Sequence, residues 1–381
     1  MLIKEKNETW LNFFTPALAV AVGAALFGFL NLVTVFVLPF AELVLPFELD
    51  IVTVSLLIMF LSQMIGAVIV FFVLIPFFKV KKVEYQTVTG FNFLRTILLA
   101  CFTLAAGYLI GIVLVNIFSI FGLVPQSGYG GIFLTAEHIA NPFIIVLYFA
   151  PLTVGAAIFE ELVYRRMLIP LLEERGMAPF AAVVASSLIF AFGHLPNDLI
   201  NGNLAGAVIH MWNVIVIGFI LGLTYILTRN ILFSMIIHGV LNFVSFAGPL
   251  IQVMENDGLM AVYGLILLLM LLVGIAVAIF AIWQYLRVST ADWVTLIKEK
   301  STTNILPGLV GFLVIAAVLK LLPLFMEIYI SVLAYIFSNL GILLFVILLG
   351  IGYIILLVTL LWLVRKTEYD PTTDKTIISF R

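Results

Sequence analysis

Long apolar runs, each closed by a short charged or Gly/Pro-containing break, recur along almost the whole chain. A helix needs about 20 apolar residues to cross the hydrocarbon of a bilayer, and that is the length the pattern repeats. It predicts spans near 11–38, 52–78, 96–123, 140–172, 178–196, 204–228, 231–251, 259–285, 304–326 and 340–364, ten helices in all. Alternation at period two is absent from these runs, which excludes spanning strands. Composition points the same way: of 381 residues 64% are hydrophobic and 10% charged, where soluble domains average about 45–50% and about 25%. The expected fold class is all-α, a polytopic membrane helical bundle whose solvent is the lipid bilayer.

Charge then orients the bundle, because cytoplasmic loops collect Lys and Arg. With the N-terminus inside, Lys79, Lys81, Lys82, Arg95, Arg175, Arg229, Arg287, Lys298 and Lys300 all fall on the inner side. Glu42, Glu48, Asp50, Glu137, Asp198, Glu255, Asp257 and Glu327 fall on the outer side. Ten spans therefore place both termini in the cytoplasm, with the polar residues 367–381 as a mobile tail. The first apolar stretch reads as a membrane helix, since no small-residue cleavage site follows it at the right distance. A net charge of −2 offers no basic field, so nucleic acid is excluded as a partner. Cys101, the single cysteine, forms no intrachain disulfide. The glycines between Gly122 and His138 lack the spacing of a phosphate cradle. No repeat or linker divides the chain, and 1–381 reads as one membrane domain.

An ionisable residue inside a span costs a few kcal/mol unless it is partnered, which makes it a functional candidate. The span 140–172 carries Glu160, Glu161, Arg165 and Arg166. Neighbours on an α-helix point about 100° apart, so the two acids occupy different faces, whereas Glu161 and Arg165 at i and i+4 can pair. Glu160 shares its face with Tyr164 and has no basic partner in the helix. A carboxylate in that setting is suited to accept a proton near neutral pH. Apolar residues continue from Met167 to Leu172, and counting back from Gly176 puts Glu160 ~24 Å inside, an upper bound given Pro170.

The next helix returns antiparallel and brings His194 to a similar depth, with Phe190 on the same face at i and i+4. His238 and Asn242 repeat that spacing on the span 231–251, beside Gly239, which favours close helix approach. His238 lies only nine residues past Arg229, so it matches the depth of Glu160 only if the 228–230 turn is sunk in the protein. His138 and His210 sit near outer boundaries and are assigned to structure.

Taken together, Glu160-Glu161-x-x-x-Arg165, Phe190-x-x-x-His194 and His238-x-x-x-Asn242 resemble the motifs of the CPBP (ABI) family. These are intramembrane proteases that include the type II CAAX prenyl proteases and the bacteriocin-processing and self-immunity proteins. The resemblance covers residues 95–285 as a catalytic core, leaving 1–94 and 286–366 as accessory transmembrane helices. It implies a membrane-embedded endopeptidase, in a prokaryotic cell membrane, acting on a membrane-associated peptide or protein. Glu160 would be the base for a water beside His194, while His238 and Asn242 would bind that water, a metal or the oxyanion. Glu161, Arg165 and Phe190 would support the site. A zinc ion held by Glu160, His194 and His238 is one version; a metal-free glutamate mechanism is the other. A non-catalytic scaffold and a proton-coupled transporter stay open as readings of a different class.

Overall fold

The computed structural model describes residues 14–44, 50–80, 90–123, 134–194, 204–287, 367–370 and 375–378, with isolated residues between 313 and 358. Its helices are α1 (Phe14–Val44), α2 (Ile51–Ile69, carried on by Val70–Leu74 and Ile75–Phe77), α3 (Gly90–Ile120) and α4 (Ala136–Ala140). After these come α5 (Pro142–Glu174), α6 (Pro179–Phe192), α7 (Leu204–Thr228), α8 (Ile231–Val253) and α9 (Asp257–Arg287). Among the described residues six helices are long and apolar enough to cross a membrane, and the protein is an integral membrane protein. The spans expected at 304–326 and 340–364 lie, but for isolated residues, outside the described residues.

Two expectations are corrected. The helix expected over 178–196 stops at Phe192, where Gly193 donates back to Ile189 and Phe190 in a closing turn. Its 14 residues reach only about 21 Å, short of a hydrocarbon core of about 30 Å. The tail expected to be mobile instead holds two antiparallel strands, β1 (Thr367–Asp370) and β2 (Lys375–Ile378), with Thr367 opposite Ile378. Thr, Tyr and Ile favour extended backbone, which accounts for strands there.

The chain divides into two compact units, one formed by residues 1–81, 162–177 and 303–381, the other by 82–161 and 178–302. In the first unit the small-residue run Ala17–Val22 of α1 is buried, and Gly23 brings that helix against Val163, whose methyl would lie 3.2 Å from an added Cβ. The second unit is built around α7, which packs on α3, α6 and α8. Ala100 and Leu104 from α3, Leu221 from α7 and Ile237, Leu241 and Val244 from α8 form its core.

Glycines set how closely these helices approach. A Cβ on Gly222 of α7 would stand 2.8 Å from Val183 of α6, and one on Gly274 of α9 would stand 2.2 Å from the Cys101 carbonyl oxygen of α3. The second crossing is backbone against helix, with no flexible side chain to yield. Polar groups add to the packing: the Ser234 hydroxyl donates to the Leu221 carbonyl at 3.0 Å, and Tyr263 donates to Val244 at 2.9 Å.

Along α5 the α-helix gives way to π-helical turns at Ala150–Gly155 and Leu162–Leu168, as α2 does at Val70–Leu74. Each of the three contains or shortly precedes a proline: Pro151, Pro170 and Pro76. Proline has no N–H to return to the carbonyl one turn back, and shifting the register by a residue gives such carbonyls another donor.

Gly274→Ala should cost about 1–3 kcal/mol as an overpacking change, read as a lower thermal unfolding midpoint in detergent. Gly264→Ala, whose Cβ meets open space, should not lower it.

Candidate active site

The site is built where α8 crosses the front half of α5, inside the second unit. The segment Ala156–Glu161 returns to α-helix between the two π turns and ends on the glutamate pair. On α8, Asn230 caps the N-terminus by accepting from the Leu232 amide at 3.0 Å. Asn230 itself is buried, while Leu227 before the turn is exposed.

His238 comes between the two acids. Its Nδ1 lies 2.9 Å from Glu161 Oε1, and its Nε2 lies 3.7 Å from Glu160 Oε2. Exposure separates the roles of these neighbouring carboxylates. The Glu161 side chain is 0% exposed and that of Glu160 is 26%. Glu161 is a buried anchor that orients the ring, while Glu160 is the carboxylate that water and a substrate can reach. With Nδ1–H donating to Glu161, the Nε2 edge is left toward Glu160, a carboxylate–imidazole arrangement that fixes ring orientation.

Asn242, one turn along α8, donates through Nδ2 to the Leu152 carbonyl at 2.9 Å. Leu152 belongs to the π turn Ala150–Gly155, where the shifted ladder makes room for a side-chain donor. A primary amide has two N–H groups, so one is used to hold Asn242 and the other is available to a ligand. Gly239 needs no unusual space here: a Cβ would meet Thr153 O at 3.9 Å and Ala157 at 4.0 Å, ordinary contacts.

His194 follows α6 in the closing turn rather than lying within the helix, yet it keeps its relation to Phe190. Its Nδ1 faces the Phe190 carbonyl at 3.1 Å, and the two rings meet edge to face with centroids 5.0 Å apart. The buried Phe190 ring also meets His238, at 5.9 Å. Phe190 thus packs against both imidazoles and links α6 to α8. Arg165 and Arg166 are buried in the first unit, on the π turn Leu162–Leu168.

His210 of α7, assigned to structure near the outer boundary, meets His194 edge to face with ring centroids 5.7 Å apart. No spacing pattern flags that contact, because the two histidines lie on different segments.

A zinc site needs donors converging within about 2.0–2.2 Å of one point. Among the described residues no group of three or more His, Cys, Asp or Glu is placed to hold a metal. Nδ1 of His238 is taken by Glu161, which leaves Nε2 as the ring nitrogen toward Glu160.

Glu161→Leu should leave the buried Nδ1–H of His238 without its acceptor, at a cost of about 1–3 kcal/mol. Glu161→Gln keeps an acceptor oxygen and should lose less. Thermal unfolding of the two variants side by side checks this, and equal losses would contradict the anchoring role.

No curated protein and no solved structure matches the chain. Residues 141–244 match the family model described as type II CAAX prenyl endopeptidase Rce1-like, a family of intramembrane proteases and the one that the three motifs resemble.

Proposed function

We propose that the protein is an intramembrane endopeptidase that hydrolyses a peptide bond of a membrane-associated protein or peptide, with Glu160 as general base. The observation that carries this reading is the buried His238 ring, oriented by Glu161 and turned toward the partly exposed Glu160. A water touching both Glu160 Oε2 and the Nε2 edge of His238 is held where its proton can be removed. Proximity of this kind is what general-base catalysis requires.

In the hydrolytic step the water oxygen bonds to the scissile carbonyl carbon and its proton passes to Glu160, while the carbonyl electron pair moves onto oxygen. The spare Asn242 N–H is the donor available to that oxyanion, with the Leu152 carbonyl fixing where it points. As the C–N bond breaks, Glu160 returns the proton to the leaving nitrogen, giving a carboxylic acid and an amine. In this reading His194, held through Nδ1 by its own helix end, has its other ring nitrogen to offer the same water. No step requires a metal.

The apolar surroundings exclude bulk water, so the fixed dipoles act at low dielectric, where they are worth more than in solution. The substrate class follows from the setting: a peptide bond that reaches these residues must come from a chain already at the membrane. The type II CAAX prenyl endopeptidase description of the matching family model supports lipid-anchored peptides as the first class to test.

Glu160→Ala and His194→Ala should each abolish cleavage of a membrane-associated peptide, by at least about 10²-fold as expected for loss of general-base chemistry, while the protein still purifies folded. Full activity in Glu160→Ala would sink the mechanism. Elemental analysis should find well under one zinc per chain, unchanged in His238→Ala; stoichiometric zinc lost in that variant would overturn the metal-free version.

A further inference from the structure

We propose that His210 is a positioning residue of the site, setting the ring plane of His194 by an edge-to-face contact from α7; its catalytic consequence rests on the proteolytic reading above. Four rings stand in series, His238, Phe190, His194 and His210, with centroids 5.9, 5.0 and 5.7 Å apart and interplanar angles of 80°, 77° and 86°. Such near-perpendicular pairs are the favoured arrangement of π systems.

His194 and His238 are placed differently along their helices. His238 is held within the regular helix α8 and by a carboxylate, whereas His194 lies past the last residue of α6. Nδ1 lies against the Phe190 carbonyl, and rings from two different helices, Phe190 on α6 and His210 on α7, meet the imidazole edge to face. α7 is well suited to the task, because Gly222 lets it approach α6 until an added Cβ would stand 2.8 Å from Val183. The α6–α7 crossing and the His194–His210 contact therefore belong to one packing arrangement.

The role assigned to His210 is that of an aromatic edge, so it should survive replacement by another ring. His210→Ala should lower kcat about tenfold with KM within about twofold, since a misplaced reacting group costs rate rather than binding. His210→Phe should restore most of the lost kcat. Full kcat in His210→Ala would overturn the proposal, as would a loss in His210→Phe equal to that in His210→Ala, which would assign the residue to proton transfer instead. The contact itself is read without activity, from the ring carbon and proton resonances of ¹³C-histidine-labelled protein in detergent, with His194 assigned from His194→Gln. The His194 resonance should shift in His210→Ala and stay in place in His138→Ala. An unmoved His194 signal would overturn the contact whatever the kinetics show. Absence of any cleavage of membrane-associated peptides by the wild type would overturn the proteolytic reading while leaving the ring contact to stand on the resonance shift.

Discussion

A buried imidazole between two adjacent carboxylates is the interaction on which the site depends. Charges in apolar surroundings are tolerated only when paired and hydrogen-bonded, because removing one from water costs several kcal/mol. The pair Glu160-Glu161 would be hard to hold inside a helical bundle without such a partner. His238 meets both, from Nδ1 at 2.9 Å and from Nε2 at 3.7 Å. α8 must therefore stand at one height and one rotation against α5. The buried Asn230 cap and the Asn242–Leu152 bond set those two variables from either side of the histidine.

The helical backbone of α5 is interrupted on both sides of the glutamates, and the interruptions have a use. A π turn widens the helix and shifts which carbonyls are satisfied within it. At Ala150–Gly155 this leaves Leu152 as acceptor for Asn242, so a departure from α geometry near Pro151 becomes the clamp for a functional side chain. The α-helical stretch Ala156–Glu161 between the two π turns is short and ends on the residues that matter.

The spans were legible because bilayer thickness demands a fixed length of apolar sequence, and that demand is written into composition. The helix ends were less so. α6 reads as a span on hydropathy, but the Gly193 turn stops it early, and only the structure shows His194 outside the helix. The three motifs single out Glu160, His194, His238 and Asn242 as candidates because ionisable and amide groups stand out against an apolar background. A contact between helices was beyond sequence: Glu161 meets His238 of another helix, 77 positions away, and no spacing template reaches that far. The His194–His210 contact escaped for a related reason: it depends on which helix crosses α6, and a single histidine near a span end looks the same whether it faces lipid or another ring.

Adjacent residues on a helix point about 100° apart, which at sequence level argues against Glu160 and Glu161 serving one site. An imidazole removes the difficulty, since its two nitrogens lie on different edges of the ring and can face groups arriving from different directions. The angular offset then becomes useful. It lets one carboxylate turn wholly inward, at 0% exposure, while its neighbour keeps 26% of its side chain accessible. Two carboxylates on the same face would compete for the same nitrogen and for the same solvent. Set on neighbouring faces, one holds the ring still and the other is left to meet the substrate.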